Sequence, residues 1–170
     1  RTETFDQLVP QAIKVTTRFE ENGYHQLNIA FLEDTIKLLK NVSHRLLLYV
    51  RIAGSQEKEE LLNDAIATWN KVLKITDETG DLKSKGTTLN NISQIFQDQE
   101  NYSAALDYLE KALEILKRIN DFDGQSTSLN NIATVYYTQG YYEKALEYFE
   151  QTLSIVQHTS DFPLKAITLS

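Results

Sequence analysis

The sequence predicts an all-α solenoid built from antiparallel helix hairpins. Three observations predict it. Residues 81–120 and 121–160 align without a gap and are identical at about 14 of 40 positions, and a fixed period of this length marks a repeat architecture. Within each copy, apolar residues recur at the i, i+3, i+4, i+7 spacing of one helical face. Only two prolines and six glycines interrupt 170 residues, which suits long helices joined by short turns.

Taken in order, residues 1–9 are a lead-in without a clear pattern. Pro10 suits the first turn of a helix, where its missing N–H costs nothing. Ala12, Val15, Thr16 and Phe19 then form one stripe, and Asn22-Gly23 stops the helix, because glycine adopts the left-handed C-terminal conformation most cheaply. A second helix is predicted from Tyr24 to Lys40, burying Ile29, Leu32, Ile36 and Leu39. Residues 10–40 are thus a degenerate first repeat.

Residues 41–80 make the second repeat. Leu46, Tyr49, Ile52 and Ala53 form one stripe, a polar turn follows near Gln56–Glu59, and Ala65, Trp69, Val72, Leu73 and Thr76 form the next. Residues 81–120 make the third repeat, with Leu89, Ile92, Ser93 and Phe96 on its first helix and Ala105, Leu109, Ala112, Leu113 and Leu116 on its second. In the fourth, residues 121–160, the matching sets are Leu129, Ile132, Ala133 and Tyr136, then Ala145, Phe149, Thr152, Leu153 and Val156. Asp161-Phe162-Pro163 reads as a linker into a truncated fifth repeat over residues 161–170, which gives nine helices with the last a stub. A heptad coiled coil is the structural alternative, but turns every 15–20 residues do not sustain heptads.

Composition narrows the function. A net charge of -7 and a pI near 5.0 oppose non-specific nucleic-acid binding, which needs a basic footprint. No run of 18 apolar residues exists, so no membrane-spanning helix is predicted. The absence of cysteine excludes disulfides, thiolate metal sites and a cysteine nucleophile, and suits a cytoplasmic protein. With no methionine and a start at Arg1, the chain reads as a piece of a longer protein.

The run Leu129-x2-Ile132-Ala133-x2-Tyr136-x3-Gly140-x-Tyr142-x2-Ala145-Leu146-x2-Phe149-x2-Thr152-Leu153 resembles the tetratricopeptide repeat signature. The 40-residue period is similar to the subclass found in kinesin light chains and bacterial regulatory arrays. The resemblance covers residues 41–160 well and residues 10–40 less well, where Asn28 stands in the slot of a small alanine. It implies a right-handed superhelix whose first helices line a concave, partner-binding groove. Independently of it, Ala105 and Ala145 stand where helix backbones must approach closely, and each hairpin needs a neighbour to complete its core.

Catalytic chemistry finds little support. His25, His44 and His158 have no i+4 partner and read as surface histidines, not as ligands or bases. No glycine-rich phosphate loop is present, and the acidic residues mix with lysines along helix faces. No enzyme activity, cofactor or metal is predicted. The tyrosines fall mostly at inter-helix packing phases, so core packing explains them better than base stacking.

The asparagine pairs Asn90-Asn91 and Asn130-Asn131 stand in mid-helix at the same phase of both copies, where Asn costs roughly 0.5 kcal/mol relative to Ala. Gln94 shares the side of Asn91, and Thr134 the side of Asn131; Tyr137 completes the set. The resemblance places this side in the groove, where amides donate to and accept from an extended peptide backbone. The competing reading is a harmless surface pair copied by duplication. Equivalent positions in the earlier repeats hold Lys14 and Arg51, similar in kind to the carboxylate clamp of chaperone-docking members. The expectation is a scaffold that binds a protein or peptide segment, without nucleic-acid or membrane partners. A regulatory domain acting in cis on a larger protein is the alternative. Self-association through an unfinished C-terminal repeat is a further expectation.

Overall fold

The computed structural model describes the backbone of residues 8–167 and the side chains of residues 8–157. The described elements are all helical: α1 (Val9–Glu21), α2 (His25–Leu38), α3 (Val42–Lys58), α4 (Leu62–Thr79), α5 (Leu82–Asp98), α6 (Tyr102–Arg118), α7 (Phe122–Thr138) and α8 (Tyr142–Ile167). The chain is an all-α helical repeat array. It divides into two compact units, Arg1–Thr79 and Gly80–Ser170.

Helix boundaries follow from local backbone chemistry. Gly23, Gly80 and Gly140 take positive φ just past a helix end, and Glu60, Glu100 and Asn120 do the same without being glycine. The next amide then reaches back to a carbonyl of the last turn, as in Leu61 N–H to Gln56 O (2.8 Å), Asn101 N–H to Phe96 O (2.8 Å) and Tyr141 N–H to Tyr136 O (2.9 Å). This pattern satisfies carbonyls that the helix itself leaves free. At the opposite ends, Asn41, Asp81 and Asp121 recur every 40 residues as N-caps. Their side-chain oxygens accept the amides of His44 (3.1 Å), Ser84 (3.0 Å) and Gly124 (3.1 Å).

In the first unit α1 packs on α2, α2 on α3 and α3 on α4. Its core joins Val9, Leu32, Ile36, Leu39, Leu48 and Ile52. Trp69 is buried and donates its indole N–H to Glu57 Oε1 at 2.6 Å, so its one polar atom is satisfied. The small-residue slot at Asn28 is filled by a buried amide that donates to Ser55 Oγ (2.9 Å) and Glu20 Oε1 (3.1 Å).

In the second unit α5 packs on α6, α6 on α7 and α7 on α8, and α5 also touches α7. Ala105, Leu109, Ile132 and Val135 form a buried cluster. The duplication extends to geometry: Phe96 stacks on Tyr108 (5.4 Å between centroids) and, 40 residues on, Tyr136 stacks on Tyr148 (5.6 Å). Leu116 is fully buried between two glycines. A Cβ on Gly86 would meet its Cγ at 2.7 Å, and one on Gly124 would meet its Cδ2 at 2.6 Å.

The polar turn expected near Gln56–Glu59 falls mostly inside α3, which runs to Lys58 with Gln56 buried, and two expectations for the last repeat also differ. No break occurs at Asp161-Phe162-Pro163; α8 continues to Ile167, so eight helices rather than nine are described. The preceding repeats end on Gly80 and Asn120, both in the left-handed conformation, whereas the corresponding position holds Ser160, a poorer residue for that stop. Phe149, Leu153 and Val156 were expected to line a core but are exposed, while Ala145 of the same helix is buried. The side chain of His158 and residues 168–170 lie outside the described residues.

Candidate functional site: the asparagine-bearing faces of α5 and α7

α5 carries Asn90, Asn91 and Gln94, and α7 carries Asn130, Asn131, Thr134 and Tyr137. The two paired asparagines of each helix have different fates because adjacent helical positions point about 100° apart. Asn90 is only 7% exposed. Its Oδ1 accepts the hydroxyl of Ser128 at 2.9 Å, which links α5 to α7 within the unit. Ser93 Oγ donates in turn to the Asn90 carbonyl at 2.6 Å. Asn90 is therefore turned toward Ser128, a partner that sequence reading missed. Ser128 lies 38 residues from Asn90, so the pairing has no local sequence signal.

Asn130, the copy of Asn90, is exposed, and Asn91 and Asn131 are half-buried. None of these three side-chain amides has a hydrogen-bond partner among the described residues. Gln94 is exposed and donates to Asp98 Oδ1 at 2.9 Å. The Thr134 hydroxyl donates to the Asn130 carbonyl at 2.9 Å, an intrahelical bond that leaves its lone pairs outward. Tyr137 is 60% exposed and meets Tyr142 edge-on at 5.4 Å. Nearby, the Lys144 ammonium lies 5.2 Å from the Tyr136 ring centroid and 5.6 Å from that of Tyr141. Burial, reinforced by the neighbouring Tyr136 and by Glu110 and Glu147, raises the Tyr148 phenol above its ordinary value.

Lys14 and Arg51 belong to the first unit. Lys14 is exposed on α1. Arg51 is engaged: its Nη2 donates to Glu20 Oε2 (2.9 Å) and Thr17 Oγ1 (3.0 Å), so its charge is answered locally. With Asn28 on the other oxygen of Glu20, these residues form a small polar network. Among the described residues no group of three or more His, Cys, Asp or Glu side chains is placed to hold a metal ion. No described helix is long and apolar enough to cross a membrane.

Family models described as tetratricopeptide repeat match residues 44–118 and residues 126–160, together more than half of the chain. No curated protein matches the chain. Among solved structures, BtubC from P. vanneervenii is similar with a TM-score of 0.78 and 20% identity, covering 91% of this chain and 64% of that one. Aspartyl phosphate phosphatase F from Bacillus subtilis gives a TM-score of 0.82 at 16% identity, covering 95% of this chain and 43% of that one. A signal transduction ATPase with numerous domains from Pyrococcus horikoshii, described as having a tetratricopeptide repeat sensor, gives 0.81 at 19% identity. That match covers 96% of this chain and 26% of the ATPase. The chain thus spans less than two-thirds of each of these proteins.

Proposed function

Because the chain belongs to the tetratricopeptide repeat family, we propose that it is a non-catalytic interaction module that binds a protein or peptide segment. Repeats of this kind present continuous faces built from successive hairpins. The binding residues are Asn91, Gln94, Asn130, Asn131, Thr134 and Tyr137 on α5 and α7. One observation carries this reading: three amides at repeated phases, on Asn91, Asn130 and Asn131, have no partner among the described residues. An extended backbone offers both the donors and the acceptors such amides need. Asn90 contributes by fixing the spacing of α5 and α7 through Ser128. Lys14 and Arg51 stand as auxiliary positions, with Arg51 attenuated by Glu20.

The test is affinity capture with the intact protein, comparing it with Asn91→Ala/Asn131→Ala. Thermal stability is expected to hold or to rise by up to about 1 kcal/mol, since Ala is the better helix former at both positions, while partner recovery falls. Equal recovery by the double variant overturns the reading.

A second reading is regulation in cis, inside a larger protein. It draws on the neighbours that are much longer than this chain, one of them described as carrying a sensor of these repeats. Crosslinks from Lys85 of α5 to another part of the same native chain would favour it over a separate partner. The proposal also includes a cytoplasmic setting, in keeping with the absence of cysteine, and self-association through the exposed apolar row of α8.

A further inference from the structure

The first unit holds a cleft that the proposed interaction face does not use. Two adjoining hollows, of about 300 Å³ and about 220 Å³, share Tyr49 of α3 and Lys71 of α4. α2 and α4 form the walls of the larger one, and Ile36, Tyr49 and Ile52 give it an apolar lining. Ile75 continues that lining into the smaller one.

The rim is basic in a chain whose net charge is -7. Arg45, Lys71 and Lys74 line the smaller hollow, and none of them makes an ion pair among the described residues. Arg45 is half-buried, and its Nε is buried without a hydrogen-bond partner. A desolvated guanidinium N–H left unmatched is costly. The Lys71 ammonium lies over the Tyr49 ring at 5.5 Å, which holds one positive charge at the junction of the two hollows. Lys37 also lines the cleft but is already paired with Asp34 at 2.8 Å. Each hollow also has one carboxylate in its lining, Glu33 in the larger and Glu78 in the smaller. The smaller hollow thus carries three cations without an ion pair among the described residues, Arg45, Lys71 and Lys74, against one carboxylate, Glu78.

We infer that this cleft docks a short acidic peptide segment, with an apolar side chain seated against Ile36, Tyr49 and Ile52 and flanking carboxylates against Arg45, Lys71 and Lys74. Charge complementarity selects an anion, and the apolar lining selects one that carries a hydrocarbon body. The elongated, two-lobed form suits an extended segment better than a compact solute. Such a site is independent of the amides on α5 and α7.

Nitrogen-15 NMR titration of the full chain tests this, with acetyl-Glu-Leu-Glu-amide as the probe and acetyl-Gln-Leu-Gln-amide as its uncharged counterpart. The acidic peptide is expected to give saturable shifts at the amides of Tyr49, Lys71 and Ile75. Binding should weaken about tenfold or more with the uncharged peptide and with Lys71→Glu/Lys74→Glu, as charge contacts in a partly desolvated site do. It should be unchanged in Asn91→Ala/Asn131→Ala. Absence of saturable shifts, or equal binding of the two peptides, overturns the inference whether or not the lysine variant folds. Equal shifts from inorganic phosphate would mark a bare anion site and overturn it. Shifts at these amides that grow with protein concentration alone would assign the cleft to a second copy, and overturn it as well.

Discussion

Two glycines at helical positions have opposite surroundings, and that difference decides what each can become. Gly54 of α3 has open space where a Cβ would stand, whereas a Cβ on Gly86 of α5 would meet Leu116 Cγ at 2.7 Å. Alanine is roughly 1 kcal/mol better than glycine in a helix interior. Gly54→Ala should therefore raise stability by about 0.5–1 kcal/mol. Gly86→Ala gains the same backbone term but must displace a fully buried leucine, and overpacking costs roughly 1–3 kcal/mol. A lowered melting temperature is the expected net result. Thermal melts of the two variants against the parent check both signs at once; a stabilised Gly86→Ala would mean that Leu116 moves aside freely.

At the scale of the element, the first helix of each of the last two repeats depends on an aspartate. The Asp81 carboxyl is held below its ordinary value of 3.8 by hydrogen bonds from Ser84, first from the side chain and then from the backbone amide. A carboxyl lowered in the folded state stabilises fully above 3.8, and that contribution fades as pH falls through the lowered folded value. Asp81→Ala should cost about 1 kcal/mol at neutral pH. Melts at pH 7 and pH 3 should show the gap between variant and parent narrowing in acid. A gap that does not change with pH would show that the charge contributes nothing. These caps stand in the sequence as Asn41, Asp81 and Asp121, one every 40 residues, beneath the stronger signal of the apolar stripes. The stripes placed the helices in order, since helical periodicity is a strong local signal, and the second helix, expected over Tyr24–Lys40, runs His25–Leu38. Burial of polar side chains was harder to see. Asn90 and Asn130 are the same residue at the same phase, yet one faces Ser128 and the other solvent. That difference lies in what packs alongside, which no window of sequence around either residue records. The same holds for Arg51, whose counter-ion Glu20 stands 31 residues away.

For the molecule as a whole, the exposed side of α8 is the largest departure from the expected core. Phe149 is 38% exposed and Leu153 56%, in a row with Leu146 and Val156. Isolated apolar side chains at a surface are ordinary, but a contiguous row favours association. Sedimentation of the 170-residue chain is expected to show concentration-dependent self-association. Phe149→Lys/Leu153→Lys should remove it without loss of helicity. A chain that is monomeric at every concentration would show that this row draws no second copy.

The principal packing inside each unit joins helices that follow one another in the chain, with α5 to α7 as the one longer step. The loops that must close before those contacts form are short, so little chain entropy stands between the unfolded ensemble and the first native hairpin. Low average sequence separation goes with rapid folding. Each hairpin can dock on the one before it soon after its second helix leaves the ribosome, so assembly of this architecture keeps pace with synthesis.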